Sequence, residues 1–381
     1  MVVHWYTQMV SLVLPSLKAD LHLTNIQVGT ITTVQQGVSS GGMLPCGFLA
    51  DRYRRHVALI LAGAIIAFGL GLFLIGSAPS YAWALPAVGL MGLGTALWHP
   101  AAMGALSLRF PKQRGMALSV HGVGASIGDA VAPVAVGAII VAVSWRTALR
   151  FHIIPAVVFA LVIWRALGAS FQREGSKASF RSYVRGIGGL LTDRQVLAIM
   201  VSNALIGMGR LSVLTFFPIY IKETLGYSTF ILGVYLTLLY VMGMFSQPFM
   251  GVLSDRFGRK AVLFPSFALM GLLFLAIGFA HRGVELALVV GALGLFFYAI
   301  TNITQTAIMD VASEGVQSST MGVVGLFSQP FTLGAPVLAG YLVTEFGIRS
   351  AFWYAGAAAL LAAAILVPVR FRRAQAVQKQ G

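Results

Sequence analysis

"GFLADRYRRH", Gly47 to His56, packs Asp51, Arg52, Arg54 and Arg55 into one short segment. Residues 23–50 before it contain no Asp, Glu, Lys, Arg or His, and neither do residues 57–98 after it. A knot of charge between two long uncharged runs reads as a loop joining two membrane-spanning helices, because a helix needs about 20 apolar residues to cross roughly 30 Å of hydrocarbon.

The rest of the chain follows the same pattern. Of 381 residues, 58% are hydrophobic and 10% charged, against about 25% charged in soluble domains. Twelve predominantly apolar runs are predicted to span the membrane: 2–17, 27–47, 57–76, 81–106, 115–143, 146–167, 196–220, 228–252, 261–280, 285–309, 318–343 and 348–369. The long run 57–98 is split by the turn "GSAPSY" (Gly76 to Tyr81). The expected fold is therefore an all-α polytopic membrane protein. Residues 1–167 form an N-terminal six-helix bundle and 196–370 a C-terminal one, with a polar linker at 168–195 and a tail at 371–381. The 43 glycines suit helices that pack closely in lipid. The first span is short and carries His4, Thr7, Gln8 and Pro15, so the native start is expected upstream of Met1.

A formal charge of +15 does not point to nucleic acid, which would need the basic residues gathered on a soluble face. They sit in short loops instead. One side holds Arg52, Arg54, Arg55, Arg109, Lys112, Arg114, Arg165, Arg173, Lys177, Arg181, Arg185, Arg194, Arg256, Arg259, Lys260, Arg370, Arg372, Arg373 and Lys379. The other holds only Lys18, Arg146, Arg150, Lys222, Arg282 and Arg349. By the positive-inside rule the crowded side, with the C-terminus, is cytoplasmic, in a bacterial inner or plasma membrane. The single cysteine, Cys46, excludes an internal disulfide or a multi-cysteine metal site. No G-x-x-x-x-G-K-[ST] loop occurs, so the chain carries no ATPase of its own. No cofactor is expected, and a proton gradient is the expected energy source.

The opening segment has an echo, "GVLSDRFGRK" at Gly251 to Lys260, with Asp255 lying 204 residues after Asp51. Pro15 and Pro218, Pro133 and Pro336, Gly137 and Gly340, and Arg146 and Arg349 are each 203 apart. A near-constant offset over five landmarks means two homologous halves, an arrangement found in transporters whose halves enclose a central cavity.

The doubled loop, each copy between the second and third span of its half, resembles the signature loop of the major facilitator superfamily, and the resemblance covers essentially the whole chain. It implies two pseudo-symmetric bundles that rock about a midplane site. It also implies that Asp51 docks on the cytoplasmic start of span 11 and Asp255 on that of span 5 when the cytoplasmic side is closed. A helix N-terminus favours an anion there. The gating motif is then Gly47, Asp51, Arg52, Arg55, Gly251, Asp255, Arg256, Gly258, Arg259 and Lys260, with Asp310 at the end of span 10 as acid partner for Arg256 or Arg259. The copies differ: Arg54 stands where the second has Gly258, and Ser107 where the second half has Asp310.

Ionisable residues inside a membrane are costly and become functional candidates. Asp129 in "GASIGDAVAPVAVG" is a candidate proton carrier; the alternative is a pairing with a polar neighbour in the bundle. Gly124, Gly128, Pro133 and Gly137 around it partly resemble the superfamily's antiporter motif, with Ala132 and Val136 where glycines are usual. Arg210 on span 7 is a candidate clamp for an anionic substrate, or an internal partner of Asp129. Its counterpart on span 1 is Thr7, beside Tyr6 and Gln8, and spans 1 and 7 line the cavity in this superfamily. His99 aligns with Asn302 at the 203 offset, joined on one face by Tyr298 and Gln305; His99 is also a candidate for titration. Gln36, Gln35 and His121 are secondary candidates. "TALWHPAA" and "RFPKQRGMALS" resemble the fosmidomycin-resistance branch of the superfamily.

The expected function is secondary active transport of a small molecule, proton-coupled efflux of a drug-like or anionic compound, by a monomer embedded in the lipid bilayer. The alternative is proton-coupled uptake of a small organic anion. A transport-dead receptor or scaffold is the rival of another class, and the retained gating loops argue against it. No nucleophile–base pair or metal cluster points to an enzyme.

Overall fold

Each expected span falls on a helix in the computed structural model, which describes residues 1–167, 194–311 and 317–369, without the side chains of residues 111, 114, 115, 302, 308–311 and 317–326. The expected linker, apart from its last two residues, and the expected tail lie outside the described residues, as do the side chains of Asn302 and Asp310. The first six spans are α1 (Val2–Asp20), α2 (Asn25–Arg52), α3 (Val57–Gly76), α4 (Tyr81–Arg109), α5 (Arg114–Val143), and α6 (Trp145–Phe151) with α7 (Ile153–Leu167). The others are α8 (Arg194–Ile219), α9 (Thr229–Phe257), α10 (Arg259–Ile277), α11 (Val284–Phe297) with α12 (Ala299–Val311), α13 (Gln317–Phe346) and α14 (Arg349–Leu366).

Nine helical stretches among the described residues are long and apolar enough to cross a bilayer. α1 and α2 are not among them, for a chemical reason. α1 carries His4, Thr7, Gln8, Lys18 and Asp20, and α2 carries Thr30, Thr32, Thr33, Gln35, Gln36, Ser39 and Ser40. Helices this polar survive in lipid only by turning those groups toward protein or a wet cavity. α7 is the opposite case. Ile154, Val157, Val158, Phe159, Leu161, Val162 and Trp164 are all exposed along it, a face that suits acyl chains and not water.

Helix ends follow local chemistry. α2 starts in a capping box: the Gln27 N–H donates to Thr24 Oγ1 at 3.2 Å, and the Thr24 N–H donates to Gln27 Oε1 at 2.9 Å. The two signature loops take different shapes. Gly258, at φ 94°, lets α10 begin directly after α9. Its counterpart Arg54 cannot adopt that backbone cheaply, and residues Arg54–His56 form a 3₁₀ turn before α3 instead.

The helices sort into two compact units. One holds Met1–Ala178 with Leu214–Tyr240 and Leu333–Ala351; the other holds Ser179–Val213, Val241–Thr332 and Phe352–Gly381. In the first, α2 and α3 pack on α4, α3 on α7, and α1 on α5, around fully buried Tyr6, Met9, Leu12, Leu14, Leu17 and Phe68. It also takes in the start of α9, seated on α5, and the end of α13, seated on α2. In the second, α10 packs on α11 and α12 around Phe267, Phe274, Phe297 and Phe352.

Candidate functional site

The packing of α1 on α5 decides the surroundings of Asp129. His4 and Gln8 are four residues apart, hence on one face of α1, and both reach the same carboxylate. Gln8 Nε2 donates to Asp129 Oδ1 at 2.7 Å, and His4 Nδ1 lies 3.0 Å from Oδ2. Asp129 is 17% exposed at its side chain and His4 25%. From α4, His99 meets His4 edge-on, ring centroids 5.7 Å apart. The first unit thus gathers Gln8, His99 and Asp129, all expected at the site, around His4, which the sequence reading passed over as a mere blemish in a weak span.

Three other candidates are placed differently. Tyr6, expected to line the cavity, is a correction. It is 1% exposed, stacks on Phe68, and donates its hydroxyl to the His152 carbonyl at 3.2 Å. Its ring is apolar bulk for the core of the bundle, since residues two apart on a helix face away from one another. The Thr7 hydroxyl returns to its own helix, donating to Val3 O at 3.0 Å. Gln36 is exposed and donates to Ser40 Oγ at 3.2 Å.

In the second unit, Arg210 on α8 lies over two aromatic faces, 4.6 Å from the Phe297 centroid and 5.1 Å from that of Tyr298. Its Nη1 also donates to Thr301 Oγ1. Tyr298 was a cavity candidate with Asn302 and Gln305; Phe297 and Thr301, which flank Tyr298 at the junction of α11 and α12, were not candidates. The rings attract the cation through their quadrupoles. Gln305 is half-buried on α12.

Both gating carboxylates are exposed, Asp51 at 62% and Asp255 at 69%. Asp51 accepts from Arg54 at 3.2 Å, and Asp255 accepts from Arg259, which also reaches Ser254. Arg52 and Arg55 are exposed, Arg256 lies over the Phe257 ring at 5.4 Å, and Gly47 approaches Pro100. Lys260 has a role the sequence did not announce: its ammonium donates to Val367 O and Val369 O just beyond α14, where unpaired carbonyls favour a cation. Among the described residues, no group of three His, Cys, Asp or Glu side chains is placed to hold a metal.

The sequence profile of the Major Facilitator Superfamily matches residues 1–329 and, in a second match, 199–380. The chain belongs to this superfamily. As a superfamily member it is a multi-pass integral membrane transporter of a small molecule and not an enzyme. It is 25% identical to the probable sulfoacetate transporter SauU of Cupriavidus necator, over 89% of this chain and 83% of that one. It is 24% identical to the fosmidomycin resistance protein of Escherichia coli, over 66% of this chain and 62% of that one. Among solved superfamily structures, the nucleoside transporter NupG shares the fold with a TM-score of 0.81 at 11% identity, covering 96% of this chain and 97% of that one.

Proposed function

We propose that this chain carries a small organic anion across a bacterial plasma membrane by alternating access, driven by protons. The observation that carries the reading is Arg210, a guanidinium inside a membrane span, lying over the rings of Phe297 and Tyr298 and donating to Thr301. A planar fork in a low-dielectric cavity suits a carboxylate, sulfonate or phosphonate better than a neutral solute. Asp129, held by His4 and Gln8, is the proton carrier of this scheme. The similarity to a sulfoacetate transporter across most of both chains supports an anionic substrate.

Asp51 and Asp255 are the gate latches. Each pairs with a basic residue of its own loop and is exposed, and each would exchange that partner for a helix N-terminus on cytoplasmic closure. The basic excess of the loops supports a cytoplasmic C-terminus, and the chain acts as a monomer. A second reading, export of a drug-like compound, is favoured by the similarity to the fosmidomycin resistance protein.

The test is purified protein in liposomes, offered labelled sulfoacetate, simple carboxylates and neutral sugars under imposed pH gradients of either sign. Anion flux that follows the gradient and is lost in Arg210→Ala is the expected result. Equal transport of neutral sugars by wild type and Arg210→Ala overturns it, and the gradient sign that drives accumulation separates uptake from export.

A further inference from the structure

The start of α9 lies along α5 so closely that a Cβ on Gly233 would come within 2.3 Å of the Pro133 carbonyl oxygen, and one on Gly137 within 2.8 Å of the Thr229 oxygen. The end of α13 lies along α2 in the same way: Gly29 faces the Pro336 oxygen at 2.2 Å and Gly340 the Asn25 oxygen at 2.4 Å. Both contacts belong to the first unit, at the end of α2 away from Asp51. Each carries a threonine. Thr33 donates its hydroxyl to Leu333 O at 2.8 Å, and Thr237, at the equivalent place 204 residues on, donates to Ala130 O at 2.8 Å.

Thr237 does more than its twin. Its oxygen also accepts from the Val134 N–H at 3.3 Å, so it bridges the carbonyl and the amide that an unbroken α-helix pairs with each other. The bridge falls on a turn already weakened, because Pro133 has no N–H to offer the carbonyl of Asp129. Asp129 is the residue next to Ala130. At the matching position before Leu333 the chain has the neutral Thr332. The ionisable groups around Asp129 are the Met1 amine and His4 from the start of α1, His99 beyond it on α4, and His121 earlier on its own helix; the stretch of α9 against α5 carries no Asp, Glu, Lys, Arg or His.

We propose that Thr237 is a positioning residue, whose hydroxyl on the Pro133 turn ties closure of this end of the molecule to the placement of Asp129, while Thr33 closes the same end without touching a proton-carrying group. When α9 leaves α5, the hydroxyl goes with it. Ala130 O and the Val134 N–H then satisfy each other, the turn tightens, and the Asp129 carboxylate shifts against His4 and Gln8. The proposal rests on the reading of Asp129 as the proton carrier.

Infrared spectroscopy of the full-length protein in lipid tests it, with the Asp129 carboxyl band assigned as the one that Asp129→Asn removes. Thr237→Val is expected to move that band, Thr237→Ser to restore it, and Thr33→Val to leave it in place. In a Cys46→Ser background carrying Asn25→Cys, both valine substitutions are expected to raise labelling by a membrane-impermeant maleimide about threefold, the effect of one typical interhelical hydrogen bond. A band that moves equally in both valine variants, or in neither, overturns the positioning role. Unchanged labelling overturns the closing role. The coupling reading fails separately, if Asp129→Asn liposomes keep full gradient-driven transport, and the band still decides whether Thr237 positions that side chain.

Discussion

Where α1 meets α5, His4 lies 3.0 Å from Asp129; 203 residues later, where α8 meets α13, the corresponding residues are Gly207 and Thr332, so close that a Cβ on the glycine would come within 2.7 Å of the threonine methyl. The same helix pair is a polar contact in one half and an apolar packing contact in the other. The charge of the second half sits elsewhere, on Arg210 against the rings of Phe297 and Tyr298, where the first half has Thr7. Two copies of one scaffold thus carry different charges: an acid among imidazole neighbours in one, a guanidinium over aromatic rings in the other. Duplication supplies the helices, and a handful of substitutions at equivalent positions supplies the chemistry.

The division predicts that damage to the two sites has different signatures. Arg210→Ala should have the largest effect, about a hundredfold loss in anion transport, the scale of a charged hydrogen bond removed from a low-dielectric site. Tracer exchange of the labelled anion at equal pH measures it, and Arg210→Lys should recover only part. Asp129→Asn should cost about tenfold in gradient-driven accumulation while leaving exchange at equal pH intact. If the two variants lose both activities in parallel, the halves do not divide acid from base.

The signature loops give a smaller contrast. Asp255→Asn should slow transport about threefold and Asp51→Asn less, because the second copy has both the tight Gly258 turn and an acid, Asp310, in the matching position where the first has Ser107. Transport rates of the two variants in liposomes, normalised to protein, decide the ranking; an equal loss would mean the latches are equivalent. The smallest effects concern the backbone. Gly258, at φ 94° and ψ 151°, occupies a region that side chains enter at a cost of about 1–3 kcal/mol. Gly258→Ala should lower thermal stability accordingly, and Arg54→Gly should leave it nearly unchanged. Conversely, Ser144 holds φ 118° where its counterpart has Gly347 at φ 80°. Ser144→Gly should raise the melting temperature even after loss of the cap that Ser144 gives the Thr147 N–H at 3.3 Å.

The positions of the helices were legible because lipid imposes one rule on every span: about 20 residues without charge. Charge spacing alone therefore located the loops, and the signature loop with its echo located the two halves. Asp129, Arg210 and His99 stood out for the same reason, as polar groups in apolar runs, and Gln8 through the repeat, beside the counterpart of Arg210. Their partners were less visible. His4 lay in a run already polar, and Phe297 and Thr301 are ordinary residues for a membrane helix. Tyr6 misled because sequence proximity to Thr7 and Gln8 says nothing about which side of α1 it occupies until α1 has neighbours.

By itself, then, the sequence determined that this chain is a duplicated helical transporter, because hydropathy, loop charge and repeat offset are properties of residues taken one segment at a time. Only the tertiary structure decided which polar groups meet. Gln8 and His4 converge on Asp129 because α1 packs on α5, Arg210 is seated because α11 and α12 bring two rings beneath it, and Thr237 reaches the Pro133 turn because α9 lies along α5. Those contacts join residues from 87 positions apart (Arg210 and Phe297) to 125 (His4 and Asp129), a separation at which local pattern carries no information and packing alone sets the pairing.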